Sequence, residues 1–223
     1  MAIALDELRD EAREHGWATA RATLIEVRSA AAGLKWVEVP FRSDDDPVTE
    51  LKSVQQEDAR PNSISAVHGL GRQPLHTDGA HLQRPPEVVI LMSTAPSSTP
   101  TLLWTLAAGR LGSGSHRLPP YDDLRHGVFV VRGGPQTFLA TAYSDQGWRF
   151  DPNCMSPADD RARRTAAFVS GRTQESHAHQ WDEPQRILVI DNSRTLHGRA
   201  EVADQDSERL LLRVAYQSTK ADV

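Results

Sequence analysis

With one cysteine, Cys154, in 223 residues, the chain cannot close an intramolecular disulfide. No window approaches the roughly 18 consecutive apolar residues that a membrane-spanning helix requires, so insertion into a bilayer is excluded. The N-terminal stretch "MAIALDELRDEAREHG" has acids where a secretory signal needs a basic segment followed by an apolar one, and a cytoplasmic location is expected. Basic residues are in deficit, 25 against 30 acids, giving a net charge of −5. With aromatics at 6%, the chain also lacks the aromatic platforms that accompany basic grooves in single-strand binders, so no nucleic-acid partner is expected. The arginines of 161 to 172 lie beside Asp159 and Asp160 and read as a charged helix face.

What is present is a series of short β-rich runs. "EVVILMS" (87–93), "TLLWTLA" (101–107), "GVFVVRG" (127–133), "TFLATAY" (137–143), "RILVID" (186–191) and "RLLLRVAY" (209–216) are divided by Gly, Pro, Ser and Asp, and each predicts a strand. Helical spacing appears over 4–14, ending near Gly16, and over 158–172, while "SDDDPVTELKSVQQEDARP" predicts a further helix before Pro61. The Gly, Ser and Pro of 109–123 predict a long loop or lid. The pattern suggests a mainly β sandwich or jelly roll with flanking helices, in one domain spanning 1–223. Residues 1–60 form its helical N-terminal part and 74–217 its β core.

Three residues stand out chemically. In "PLHTDGAH", His76 and Asp78 are two positions apart, which on an extended chain puts an imidazole and a carboxylate on one face. In "RILVIDNSRTLHGRA", His197 follows a fully apolar strand that would hold it rigidly. Two imidazoles and one carboxylate can form the facial set that holds Fe(II) with positions left open, and zinc accepts the same ligand types. The last strand alternates Arg209, Leu211, Arg213 and Ala215 against Leu210, Leu212, Val214 and Tyr216. The second face is wholly apolar. The first therefore turns two guanidinium groups toward a cavity, and since a buried unpaired charge costs several kcal/mol, roughly, anions are expected there. The planar fork of arginine suits a carboxylate.

"HTD", then "DNSRTLHGR", then an Arg-x-x-x-Arg strand resembles the Fe(II)/2-oxoglutarate-dependent dioxygenases of the taurine dioxygenase type, over about 74–217. The resemblance implies a double-stranded β-helix (jelly-roll) core, with His76, Asp78 and His197 as iron ligands and catalytic centre. It implies that Arg209, twelve positions after His197, binds the distal carboxylate of the cosubstrate 2-oxoglutarate, and that Arg213 faces a substrate anion or assists the cosubstrate. Thr101 resembles the threonine that also contacts 2-oxoglutarate, although "SSTP" stands where the family has "GG". The 119 residues from Asp78 to His197 are few for the family, implying a reduced insertion over the site. The reaction implied consumes O2, decarboxylates 2-oxoglutarate to succinate and CO2, and oxidises a C–H bond, usually by hydroxylation. Asp78 disfavours halogenation, because halogenating relatives carry a small residue in place of that carboxylate.

The expected substrate is a small anionic or amino-acid-like molecule, free or tethered to a carrier, with Arg132 a further candidate contact. His81 reads as pocket wall or surface, "HAH" (177–179) as a solvated loop, Trp104 and Trp148 as packing, and Cys154 as inert. Two other readings stay open on the same ligands: a non-catalytic metal-binding jelly roll, and a zinc hydrolase that needs no O2.

Overall fold

The structure, a computed structural model, describes residues 3–42, 45–106 and 120–218. The chain opens with α1 (Leu5–His15), whose apolar Leu5, Leu8 and Ala12 face inward and whose last turn is closed by the Gly16 N–H on the Ala12 carbonyl. Next come β1 (Trp17–Arg21) and α2 (Leu24–Gly33). Thr23 starts α2 with a reciprocal cap: its hydroxyl accepts from the Glu26 N–H, and the Glu26 carboxylate accepts from the Thr23 N–H. Strands β2 (Val37–Glu38) and β3 (Val48–Lys52) and helix α3 (Ile64–His68) lead into β4 (Gln73–His76), β5 (Val88–Ser93) and β6 (Ser97–Thr105). After α4 (Tyr121–His126) come β7 (Phe129–Val131), β8 (Phe138–Ala140), β9 (Tyr143–Ser144), β10 (Gly147–Trp148) and β11 (Met155–Pro157). Helix α5 (Asp160–Ser170) precedes β12 (His177–Trp181), β13 (Arg186–Asp191), β14 (Thr195–Arg199) and β15 (Leu210–Gln217).

Two antiparallel sheets make the jelly roll. One runs β1-β13-β5-β15, with β2 and β3 both paired to the far edge of β15; the other runs β12-β6-β14-β4. Val89, Leu91, Leu188, Ile190, Leu211 and Ala215 of the first sheet meet Leu103 and Trp181 of the second in the space between them. On its other face the first sheet presents Ile90, Met92, Ile187, Val189, Val214 and Tyr216 to Leu5, Ala12, Val27 and Ala31 of the two N-terminal helices. Burial on both faces is why β5 and β13 are apolar throughout and do not alternate. A third apolar cluster packs β7, α4 and α5 on the outer side of the second sheet, around Leu102, Leu196, Phe129, Trp148 and Phe150. There Trp104 and Trp148 pack edge to face at 5.9 Å, as expected of them.

Several expectations need correction. No helix follows Asp46: Val48–Lys52 is a strand, registered residue for residue against Leu210–Val214. Pairing to a free sheet edge outweighs the modest helical propensity of "ELKSVQQED". The N-terminal part is thus not wholly helical: α1 and α2 share it with β1, β2 and β3, and β1 pairs along its whole length with β13. "HAH" is no solvated loop but β12, the edge strand of the second sheet, with His179 opposite Thr101 and almost fully buried. The loop expected over 109–123 lies mostly outside the described residues, and its end, from Tyr121, begins α4. The helix expected over 158–172 is α5, capped by Asp159, whose carboxylate accepts from the Ala162 and Val128 N–H groups. Among the described residues no helix is long and apolar enough to cross a membrane.

Candidate metal centre

Strands β4 and β14 pair so that His76 lies directly opposite His197, their rings 4.6 Å apart. Asp78, just past the end of β4, closes the group: its two carboxylate oxygens lie 3.8 Å from His76 Nε2 and 3.7 Å from His197 Nε2. All three residues are buried, and one donor atom from each falls within 4.8 Å of the others. Metal bonds of about 2.0–2.2 Å put neighbouring donors roughly 3 Å apart, so closing on a cation takes movements under about 1 Å.

The protonation states fit a cation. Burial pushes the Asp78 carboxyl up, but the Arg213 guanidinium and the nearby imidazoles of His197 and His76 outweigh it and hold the carboxyl well below the usual range. Burial, opposed by Asp78, lowers His197. An ionised carboxylate and a neutral imidazole are the forms that bind metal. The His76 Nδ1 sits 2.9 Å from the Pro74 carbonyl, and a hydrogen bond from Nδ1–H to that oxygen leaves the Nε2 lone pair to face a metal. One Asp78 oxygen, Oδ2, is buried without a hydrogen-bond partner, the kind of orphaned acceptor that a cation would satisfy.

The loop that carries Asp78 is fastened from several sides. Asn192, in the turn between β13 and β14, accepts from the Asp78 N–H at 3.0 Å and donates to the carbonyls of Asp78 at 3.0 Å and Pro86 at 2.8 Å. Thr77 N–H bonds the Phe150 carbonyl, and its hydroxyl accepts from the Phe150 N–H. Arg149 donates to the carbonyls of Ala80, Leu82 and Gln83. Gly79 has φ of +69°, and a Cβ there would sit 2.7 Å from Pro86 Cδ, so the turn after Asp78 needs glycine.

The alternation expected for the last strand is present, with Leu211 and Ala215 between the sheets and Leu212, Val214 and Tyr216 toward the helices. Arg213, on the inner face, donates to Asp78 Oδ1 at 2.8 Å and stacks 3.8 Å over the Phe41 ring. Arg209 is buried just before β15; burial and the Arg199 charge lower its pKa to about 10, and its Nε has no hydrogen-bond partner. Thr101 is buried on the inner face of β6, where its hydroxyl accepts from Trp181 Nε1 at 3.1 Å. Arg132 is exposed at the end of β7, its guanidinium 3.5 Å from the Ser156 hydroxyl. His81 is half-buried and bonds the Phe41 carbonyl, outside the cluster. The Cys154 thiol is pushed far up by burial and by Asp151, which suits an inert group.

Sequence reasoning passed over Asn192, Arg149 and Arg199. Asn192 and Arg199 lie inside the "DNSRTLHGR" stretch that flagged His197, but nothing in the spacing shows which backbone groups they reach.

Neither a protein-family model nor a curated protein sequence matches the chain. Solved structures do match it in fold. An asparagine oxygenase in complex with Fe(II), 2S,3S-3-hydroxyasparagine and succinate superposes with a TM-score of 0.73 at 16% identity, over 96% of this chain and 78% of the other. The non-haem iron oxygenase OrfP, with Fe and alpha-ketoglutaric acid, gives 0.70 at 17%, over 96% and 79%. The PvcB protein from Pseudomonas aeruginosa gives 0.65 at 18%, over 96% and 80%. The chain therefore has the jelly-roll fold of these proteins, helices included, across nearly its whole length.

Proposed function

We propose that the protein is an Fe(II)/2-oxoglutarate-dependent oxygenase of the taurine dioxygenase type that hydroxylates a small amino-acid-like molecule. The observation that carries this reading is the pairing of a buried His76–Asp78–His197 cluster with a buried Arg209 whose Nε has no partner. The cluster is the donor set of a facial triad with open positions. The arginine, whose charge is opposed by Asp206, keeps an unpartnered Nε for a further anion.

When bound, Fe(II) with 2-oxoglutarate and O2 would supply the oxidant for a C–H bond and release succinate and CO2. The chain's own groups do the binding and orienting. His76 and His197, on paired strands, and Asp78, in the fastened turn after β4, would hold the metal. Arg209 would receive the distal carboxylate of 2-oxoglutarate, and Thr101 would offer its hydroxyl as a second donor. Arg213, held between Phe41 and Asp78, keeps the carboxylate ionised and oriented, and is the group best placed to meet a substrate carboxylate. The hydroxy-amino-acid complexes of the asparagine oxygenase and of OrfP, the latter with (3S)-hydroxy-L-Arg, support an amino acid as the substrate class.

Anaerobic titration of the Fe(II)-loaded protein with 2-oxoglutarate tests this. A saturable visible charge-transfer band is expected, with Arg209→Ala weakening cosubstrate binding by about 10- to 150-fold, the worth of a charge-assisted hydrogen-bonded pair. Iron binding with no band would move the reading to a non-catalytic metal module. O2-independent activity restored by zinc would move it to a hydrolase.

A further inference from the structure

The geometry points to Arg199 as a positioning residue that holds the two histidine strands in register, an inference that rests on the function proposed above. Arg199 is the last residue of β14, two positions past His197, and only 6% exposed. Its Nη2 donates to the carbonyls of Gly69 at 2.6 Å and Gly71 at 2.7 Å, and its Nε to that of Ala200 at 3.3 Å. The two glycines form the turn joining α3 to β4. One guanidinium nitrogen thus ties the strand of His197 to the chain that delivers His76.

That tie matters because the pairing of β14 with β4 is short and irregular. Its register shifts between His197 and Arg199, so few ladder bonds fix which residue of β4 faces His197. A slip of one residue would turn the His76 side chain to the opposite face of the sheet. Gly198 completes the device by leaving room: a Cβ there would lie 2.7 Å from the Gln73 carbonyl oxygen and 2.9 Å from that of Pro74. The Pro74 carbonyl is the group that orients the His76 ring. Gly198 lets β4 approach, and Arg199 draws it in.

Replacing Arg199 with lysine or glutamine tests the role of the planar fork. Lysine keeps the charge and loses the planar fork; glutamine loses both. With Co(II) alone as probe, followed by visible absorption, R199K and R199Q are each expected to bind metal about 10- to 100-fold more weakly, the usual effect of removing a residue that orients a ligand. A folded R199K with wild-type Co(II) affinity overturns the positioning role, and if R199Q fails to fold, R199K alone decides it. A wild-type protein that binds Co(II) but never 2-oxoglutarate would defeat the proposed function and leave the positioning role to be judged on Co(II) alone.

Discussion

Asn192 offers the sharpest test of how the metal cluster is held. Its amide is almost fully buried and makes three hydrogen bonds, from the Asp78 N–H and to the carbonyls of Asp78 and Pro86. Asn192→Ala strands one donor and two acceptors in an interior without other partners for them. Each unsatisfied buried group costs about 1–3 kcal/mol, and water entering the vacated volume offsets part of it, so a loss of about 3–5 kcal/mol is expected. For a chain of this length about 2–4 °C per kcal/mol applies, which puts the melting temperature roughly 6–20 °C lower. Asn192→Asp keeps the acceptor for the Asp78 N–H but loses both donors and sets a carboxylate against two carbonyls, so it should be no better. Because the same bonds pin the Asp78 backbone, metal affinity should fall with stability. Thermal unfolding and Co(II) titration of both variants check this. A melting temperature within about 2 °C of wild type, with unchanged Co(II) affinity, would show that the Asp78 turn is held by Thr77, Gly79 and Arg149 without Asn192.

Other expectations follow from the same geometry. His76→Ala and His197→Ala each remove one of three donors and should abolish Fe(II) binding in equilibrium dialysis; full turnover in either would sink the ligand assignment. Gly198→Ala pushes a Cβ into the Pro74 carbonyl that orients His76 and should cost about 10- to 100-fold in metal affinity, read by Co(II) absorption. His179 is lowered to about 4 by burial first, then by the charges of Arg186 and His177, with Asp182 opposing. Its folded value lies below the unfolded one of about 6.5, so the unfolded chain takes up the proton first; the stability contribution is intact above that value and is lost as pH falls toward 4. Urea unfolding at pH 7.5 and 4.5 should show the wild type losing about 2–3 kcal/mol more than His179→Leu, and equal losses would refute the assignment.

The parts of this molecule that could be read from sequence are those whose signal is local. His76 and Asp78 announce themselves because two residues on an extended chain share a face. The apolar runs of β5 and β13 do so because burial on both sides leaves no polar position. Edge strands carry no such mark. In β12, His177 and Gln180 face water, and "HAHQ" looks like a loop until Thr101 and Leu103 of β6 are seen opposite His179 and His177. The same holds for Val48–Lys52, where "VTELK" becomes a strand only because β15 has an unpaired side.

What orients the ligands is less local still. Arg149 reaches carbonyls 66 to 69 residues away, and Arg199 reaches carbonyls 128 and 130 residues away. A carbonyl is the one acceptor that every residue has, so no side chain at the receiving end reveals the contact. A ligand set can be recognised from residue types because metal binding demands imidazoles and carboxylates. The residues that aim those ligands act on backbone, and any sequence folded to the same path would receive them equally well. It follows that exchanging such anchors is a route to different metal affinity on an unchanged ligand set.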